Sequence, residues 1–177
     1  MVFAPDTELA LAAAAALVNT CRGEEDELTT GAQLDEFART WQWTGIRSDS
    51  AEELAAVRDL RPTLEQFWAV DKDTAVEIVN RVLQGAHALP QLVKHDQLDY
   101  HIHAVPMDAP LAERMAVEAA MAMADVIRSD ELSRLRICGG EDCQDVYIDL
   151  SKNRSRRFCG TSCGNRANVA AYRARRR

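Results

Sequence analysis

The chain has 177 residues, 47% hydrophobic and 28% charged, with a net charge of −7. This is ordinary globular composition, long enough for one medium domain plus a small appendage, and it excludes a disordered chain and a large two-domain enzyme. No apolar run approaches the roughly 20 residues that span a bilayer, so a transmembrane protein is excluded as well.

The apolar run Leu9 to Val18 lacks a basic flank, since Asp6 and Glu8 precede it, and it reads as a buried helix rather than an export signal. The expected compartment is therefore the reducing cytoplasm, where clustered cysteines bind metal more often than they form disulfides. Thr7 can N-cap this first helix, which should run to about Thr20. Gly23 and the acidic run Glu24 to Glu27 read as a loop. Leu34, Phe37, Ala38 and Trp41 recur at helical spacing and predict a second helix over Ala32 to Trp43. Ser50 should cap a third, carrying Leu54 and Val57 on one side and broken near Pro62, with a short helix following over Thr63 to Val70.

Asp73 is the expected cap of the next helix, with Val76, Val79 and Leu83 on its buried side and its end near Gly85. Leu92-Val93 and Tyr100 to Val105 read as two short strands of a hairpin. His101 and His103 share one strand face there; a metal could bridge them with His95, but a polar strand face is the simpler reading. Pro110 suits the start of a long helix to about Arg128. The fold class is thus mainly α with a small β-hairpin in residues 1–130, followed by a small zinc-stabilised α+β finger in residues 131–177.

The finger is expected from its cysteines. Four of the five fall late in the chain, as Cys138-x4-Cys143 and Cys159-x3-Cys163. Two close pairs on separate loops are the usual arrangement of a tetrahedral zinc thiolate site, and a closed set of four sulfurs makes the metal structural. Gly139 and Gly140 let the first pair's backbone bend, and Val146 to Ile148 offer a supporting strand. Buried free thiols or two disulfides are the alternatives; pairwise clustering in a segment with no apolar core favours Zn2+. Cys21 reads as a small core residue.

Charge is unevenly spread. Residues 1–127 carry 9 basic against 22 acidic side chains, whereas from Ser151 onward there are nine basic residues and no acid. These are Lys152, Arg154, Arg156, Arg157, Arg166, Arg173, Arg175, Arg176 and Arg177, the last four on a helix expected from Gly164. Such an end suits a polyanion, with some arginines offsetting the charge of four thiolates; a solvated tail is the plainer reading. A pocket for an anionic ligand could form from Asn19, Thr20, Arg22, Trp41, Trp43 and Arg58, although helix termination and core tryptophans explain these residues more simply. No Ser/His/Asp order, P-loop, GxGxxG or HExxH occurs, so an enzyme is not expected.

The stretch Cys138 to Arg166, with the run IDLSKNRSRRFCGTSCGNRAN, resembles the CGNR zinc-finger family, named for the tetrapeptide that is Cys163-Gly164-Asn165-Arg166 here. The region before it resembles that finger's usual companion, the ABATE domain of stress-induced bacterial transcription regulators. The likeness rests on Leu17-Val18-Asn19-Thr20, Asp26-Glu27-Leu28, Leu34 to Trp41 and Val57 to Leu60. Lys152, Arg154, Phe158 and Asn168 depart from the usual Arg, Gly, Trp and Lys, mostly keeping charge or aromatic character. The resemblance implies zinc on the four cysteines, DNA binding by the finger and a ligand-sensing role for the companion domain. Asn165 or Arg166 would then reach base edges, and a homodimer would suit paired half-sites. RNA is the alternative polyanion, with Phe158 and Tyr172 as stacking partners, and a protein-interaction module docking on an acidic partner, or on the acidic half of this chain, is the alternative class.

Overall fold

The computed structural model describes residues 2–22, 25–94 and 100–176. The expectations for Gly23 and Glu24 of the acidic loop, for His95 and for Arg177 fall outside them.

The centre of the fold is α1 (Pro5–Asn19), an alanine-rich helix with Ala10, Leu11, Ala13, Ala14, Ala15, Leu17 and Val18 buried on nearly all sides. Small side chains let neighbours approach it closely, and α6 (Leu111–Arg128), α4 (Arg61–Glu65) and β4 (Val146–Ile148) all pack on it. α1 begins at Pro5, whose fixed φ suits a first helical position. Thr7 is therefore not the cap. It lies inside the helix and its hydroxyl donates to Asp125 Oδ2 of α6 at 2.8 Å. Glu8 instead folds the N-terminal segment back, its Oε1 accepting from the backbone N–H of Val2 and Phe3.

α2 (Gly31–Thr40) is set by Thr30 and Gln33, which form a reciprocal capping box. α3 (Ala51–Asp59) starts at Ser50 as its sequence predicts, the hydroxyl accepting from Glu53 N. α4 and a 3₁₀ turn, Gln66–Trp68, follow the break at Pro62. α5 (Lys72–Gly85) is capped by Asp71, not Asp73, because the Asp71 carboxylate accepts from Thr74 N at 2.9 Å. Its buried line accordingly runs through Ala75, Ile78 and Val79, while Val76 is only partly covered. β1 (Gln91–Val93) and β2 (His101–His103) form the antiparallel hairpin, with Leu92 opposite Ile102. The two imidazole Nε2 atoms lie 2.8 Å apart, and Glu118 of α6 lies 3.8 Å from His103 Nδ1. Burial pushes the Glu118 carboxyl up to about 7.

The loop between α2 and α3 is wrapped onto α6 by Arg114. This buried guanidinium donates to the carbonyls of Thr44, Ile46 and Ala109. Gly45 sits in that wrap at φ 95°, a left-handed conformation in which an added Cβ would collide with Arg114 and the Met107 carbonyl.

After α6 the chain forms a second antiparallel hairpin, β3 (Leu135–Ile137) with β4, in the register Leu135 to Ile148. β3 carries no alternating apolar pattern long enough to be read from sequence. α7 (Thr161–Ala174) ends the described chain. The fold class is as expected: a mostly helical body, small hairpins, and a finger in which four cysteines converge. What composition did not suggest is how β4 is placed. Val146 and Ile148 belong to the same apolar core as α1 and α6, so the finger's central strand completes the body's core.

Candidate metal centre and basic face

Cys138 directly follows β3, Cys143 lies in the turn before β4, Cys159 precedes α7, and Cys163 is buried in that helix's first turn. Backbone pairing closes the arrangement. Cys138 N donates to Asp145 O at 2.8 Å, Gly139 N to Arg157 O at 2.9 Å, and Cys159 N to Cys138 Sγ at 3.3 Å. Gly139 is needed for close approach rather than for an unusual φ, since an added Cβ would lie 3.0 Å from the Arg157 carbonyl.

The four Sγ atoms lie within 4.8 Å of one another, with Cys143 to Cys159 at 3.7 Å and Cys159 to Cys163 at 3.6 Å. A tetrahedral zinc with bonds of about 2.3 Å sets its sulfurs about 3.8 Å apart, so the residues fit that ion; a disulfide would need about 2.05 Å. Four cysteines on two loops, within metal-binding distance, are consistent with one structural zinc. Among the described residues, no other group of three or more His, Cys, Asp or Glu side chains converges this way.

Burial pushes Cys143 up to about 11 and raises Cys159, whereas at Cys138 burial is outweighed by hydrogen bonds from the N–H groups of Cys159 and Gly140 and from the Cys159 and Cys143 thiols together, which lower it. Loading a metal must therefore displace protons. Arg166 supplies positive charge where that helps, its Nη2 lying 2.8 Å from Cys163 Sγ.

The basic residues fall into two groups. Three are held within the protein. Arg154 Nη2 donates to Glu131 Oε1 at 2.9 Å, Arg156 donates to the carbonyls of Phe158 and Cys159 and lies over the Tyr147 ring, and Arg166 sits on the Cys163 sulfur. Lys152, Arg157, Arg173, Arg175 and Arg176 extend from exposed positions, with Arg157 over Phe158 and Arg176 over Tyr172. Asn165 is exposed on α7. A cleft of about 420 Å³ opens between Arg156, Arg157, Phe158, Gly160 and Thr161, beside the α7 N-terminus, where Gly160 offers no side-chain cap.

The loop carrying these cations is organised by Asp149, a fully buried residue that sequence reading missed. Its carboxylate accepts from Ser151 N and Oγ and from Arg156 N. Those hydrogen bonds outweigh burial and hold its pKa below the usual carboxylate range. Buried Arg134 braces the same loop from the other side, donating to the carbonyls of Asp149 and Ser151 and pairing with Glu131. An isolated Asp in a basic run gives no signal of this role until the loop closes on it.

The six residues considered for a ligand pocket are not brought together. Asn19 faces β4: its Nδ2 donates to Val146 O, and its Oδ1 accepts from Val146 N, both at 2.9 Å. Arg22 pairs with Glu65, and Arg58 with Asp26, which is also held by Arg61 in a two-point contact. Thr20 and Trp41 alone meet, in a shallow cleft of about 260 Å³ shared with Glu27, Glu36, Phe37 and Thr40. Trp43 packs against the core instead.

A family model described as ABATE, "Putative stress-induced transcription regulator", matches residues 11–130, and one described as "CGNR zinc finger" matches residues 134–176. The chain belongs to the ABATE family. The CGNR finger follows the ABATE region in the order its sequence suggests, and neither family is described as an enzyme. Comparison with curated proteins finds no match. Among the described residues of this ABATE protein, no helix is long and apolar enough to cross a membrane.

Proposed function

We propose that this chain is a cytoplasmic transcription regulator whose CGNR finger, residues 131–177, binds DNA, while the helical body, residues 1–130, carries the regulatory input. The observation that carries the reading is the exposed cationic surface of the finger. Among the described residues Lys152, Arg157, Arg173, Arg175 and Arg176 form no ion pair, and the stretch from Ser151 has no acid. The uncapped positive end of α7 beside Arg157 and Thr161 supports a phosphate contact at the 420 Å³ cleft. Zinc holds these groups in place, because so small a segment cannot otherwise offset its ordering entropy.

The body's input is a ligand in the cleft beside Thr20 and Trp41. Two carboxylates, Glu27 and Glu36, and the rings of Phe37 and Trp41 suit a small organic cation rather than the anion that Arg22 and Arg58 would have bound. The cleft adjoins the finger's support directly, since Thr20 follows Asn19, the residue that clasps β4. Reading paired half-sites would bring two copies together.

The test is fluorescence anisotropy of the zinc-loaded full chain on labelled duplex DNA across a salt series, with a chelated control and a duplex RNA comparison. With five cations on phosphate, log K falls with log salt at a slope of about −4 to −5. Binding vanishes with zinc removal. A slope near zero, or tighter binding to RNA, overturns the reading.

A further inference from the structure

We propose that α7 lies in the DNA major groove and reads adenine through the carboxamides of Asn165 and Asn168, with Val169 against a thymine methyl. The inference rests on the finger being a DNA binder and adds which surface reads the bases and which bases it selects.

α7 is held at one end only. Cys163 is its sole buried residue, every position from Asn168 to Arg176 is exposed, and Val169 and Tyr172 are 48% and 51% exposed although nothing apolar covers them. At about 1.5 Å per residue its length is roughly 21 Å, so it projects well past the cysteine cluster. A helix of this kind is made for a partner, and its charge names the partner's sign. Arg166 and Arg173 lie on it, Arg175 is its C-cap and Arg176 follows, with no acid anywhere from Ser151 to its end.

The arrangement around the axis then selects a groove over a flat surface. At about 100° per residue, Cys163, Ala167, Ala170 and Ala174 share the side turned to the metal centre. Asn165, Val169 and Tyr172 occupy the opposite side, with Asn168 next to them. Arg166 and Arg173 border this row on one flank and Arg175 on the other, while Arg176 closes its far end over the Tyr172 ring. From Asn165 to Val169 uncharged hydrogen-bonding and methyl groups hold the middle, with guanidiniums at the flanks and at the far end, and this mirrors a floor of bases between walls of phosphate. Alanine at four positions of the helix keeps it narrow, which matters because a helix of about 10–12 Å must enter a groove of about 12 Å. The major groove of A-form RNA does not admit it.

Arg166 is excluded as the reader because its guanidinium is committed to the Cys163 sulfur at 2.8 Å. The next candidates along the outward row are the two asparagines. A carboxamide presents one donor and one acceptor, the pair that matches adenine N7 and N6–H2. Asn165 and Asn168 are three residues apart, about 4.5 Å along the axis, so they meet neighbouring base pairs.

The test is selection from a random duplex pool with zinc-loaded full-length protein, followed by anisotropy on the selected site with wild type, Asn165→Ala and Asn168→Ala, zinc content being checked for each. The selected site contains adjacent A·T pairs. Asn168→Ala loses about 5- to 100-fold on it, keeps its affinity for unselected DNA and keeps its salt slope. Replacing one selected adenine by 7-deazaadenine weakens wild type by a similar factor and leaves Asn168→Ala unchanged, and uracil in place of thymine weakens wild type but not Val169→Ala. Salt-sensitive duplex binding in which both asparagine variants keep the full base preference overturns this assignment and leaves the DNA reading standing. Absence of salt-sensitive duplex binding, or preference for an acidic peptide over DNA, overturns both.

Discussion

Replacing Asn19 by Ala should undo the contact that ties the finger to the body. The Asn19 carboxamide treats Val146 as a neighbouring strand would, giving its N–H an acceptor and its carbonyl a donor at 2.9 Å each, in a residue only 1% exposed. Alanine leaves both backbone groups buried without partners. Each such orphan costs about 1–3 kcal/mol, and water entering the vacated space recovers part of it, so the expected loss is about 3 kcal/mol. Against a typical stability of about 5–15 kcal/mol that is a large share, and with an m-value of about 2 kcal/mol/M it lowers the urea midpoint by about 1.5 M. Unfolding is followed by tryptophan fluorescence at fixed zinc, because Trp68 Nε1 donates to Tyr147 O, one residue along the same strand. Val146 lies three residues after Cys143, so zinc affinity falls too, by about tenfold for every 1.4 kcal/mol of docking transmitted. Asn19→Asp is the control: it keeps an acceptor for Val146 N but sets oxygen against Val146 O, and costs at least as much as alanine at pH 7. An Asn19→Ala midpoint within about 0.3 M of wild type would refute the reasoning, because it would mean that the clasp contributes nothing to holding β4.

Three further outcomes follow from the same geometry. In the zinc-loaded protein one thiol, exposed Cys21, reacts with a thiol reagent under native conditions, and a chelator brings this to five; four or more reactive thiols before chelation would contradict a closed site. Arg61 and Arg58 hold the Asp26 carboxyl down at about 2 from its ordinary 3.8, so its ionised form stabilises the fold above about pH 4 and that contribution disappears as pH falls towards 2. Asp26→Asn therefore costs about 2 kcal/mol in denaturation at pH 7 and little at pH 2, and an equal cost at both would rule out the ion pair as its source. Arg166→Gln weakens zinc retention in a chelator competition while leaving the DNA salt slope within about 1 of wild type, whereas Arg157→Ala leaves zinc retention intact and makes the slope shallower by about 1.

Those features of the fold that are written in neighbouring residues could be read in advance. Ser50 caps α3 through Glu53 N, three residues on, and Pro110 precedes α6, because each signal and its consequence lie within one helical turn. The cysteine site was legible for a related reason: the members of each pair are close in sequence, and the metal's demand for four sulfurs supplies the long-range step. The caps at Thr7 and Asp73 failed where a competing residue two positions earlier, Pro5 or Asp71, was better placed. Asn19 illustrates what sequence cannot carry. Its partner Val146 is 127 residues away, and nothing local distinguishes a carboxamide that ends a helix from one that pairs a distant strand. Arg22 and Arg58 were equally ambiguous, because whether an arginine awaits a ligand depends on where Glu65 and Asp26 fold.

The same packing decides how the acidic body acts on the basic finger. If its negative charge masked the proposed DNA surface, α7 would lie against it, yet every position of α7 from Asn168 on is exposed. The contacts between the two parts are made by the β3–β4 hairpin: Asn19 with Val146, Trp68 with Tyr147, and β3 against the 3₁₀ turn Gln66–Trp68. These support the finger from behind and leave its cationic side outward. Removing residues 1–130 would therefore not uncover a hidden surface. It would expose Val146 and Ile148 and deprive β4 of both its hydrogen-bonding partners and its apolar cover. In the proposed DNA complex the body's negative charge has a different consequence, for it disfavours contact of DNA with residues 1–127. For the DNA contact proposed above, the charge asymmetry of this chain therefore acts on orientation rather than as inhibition.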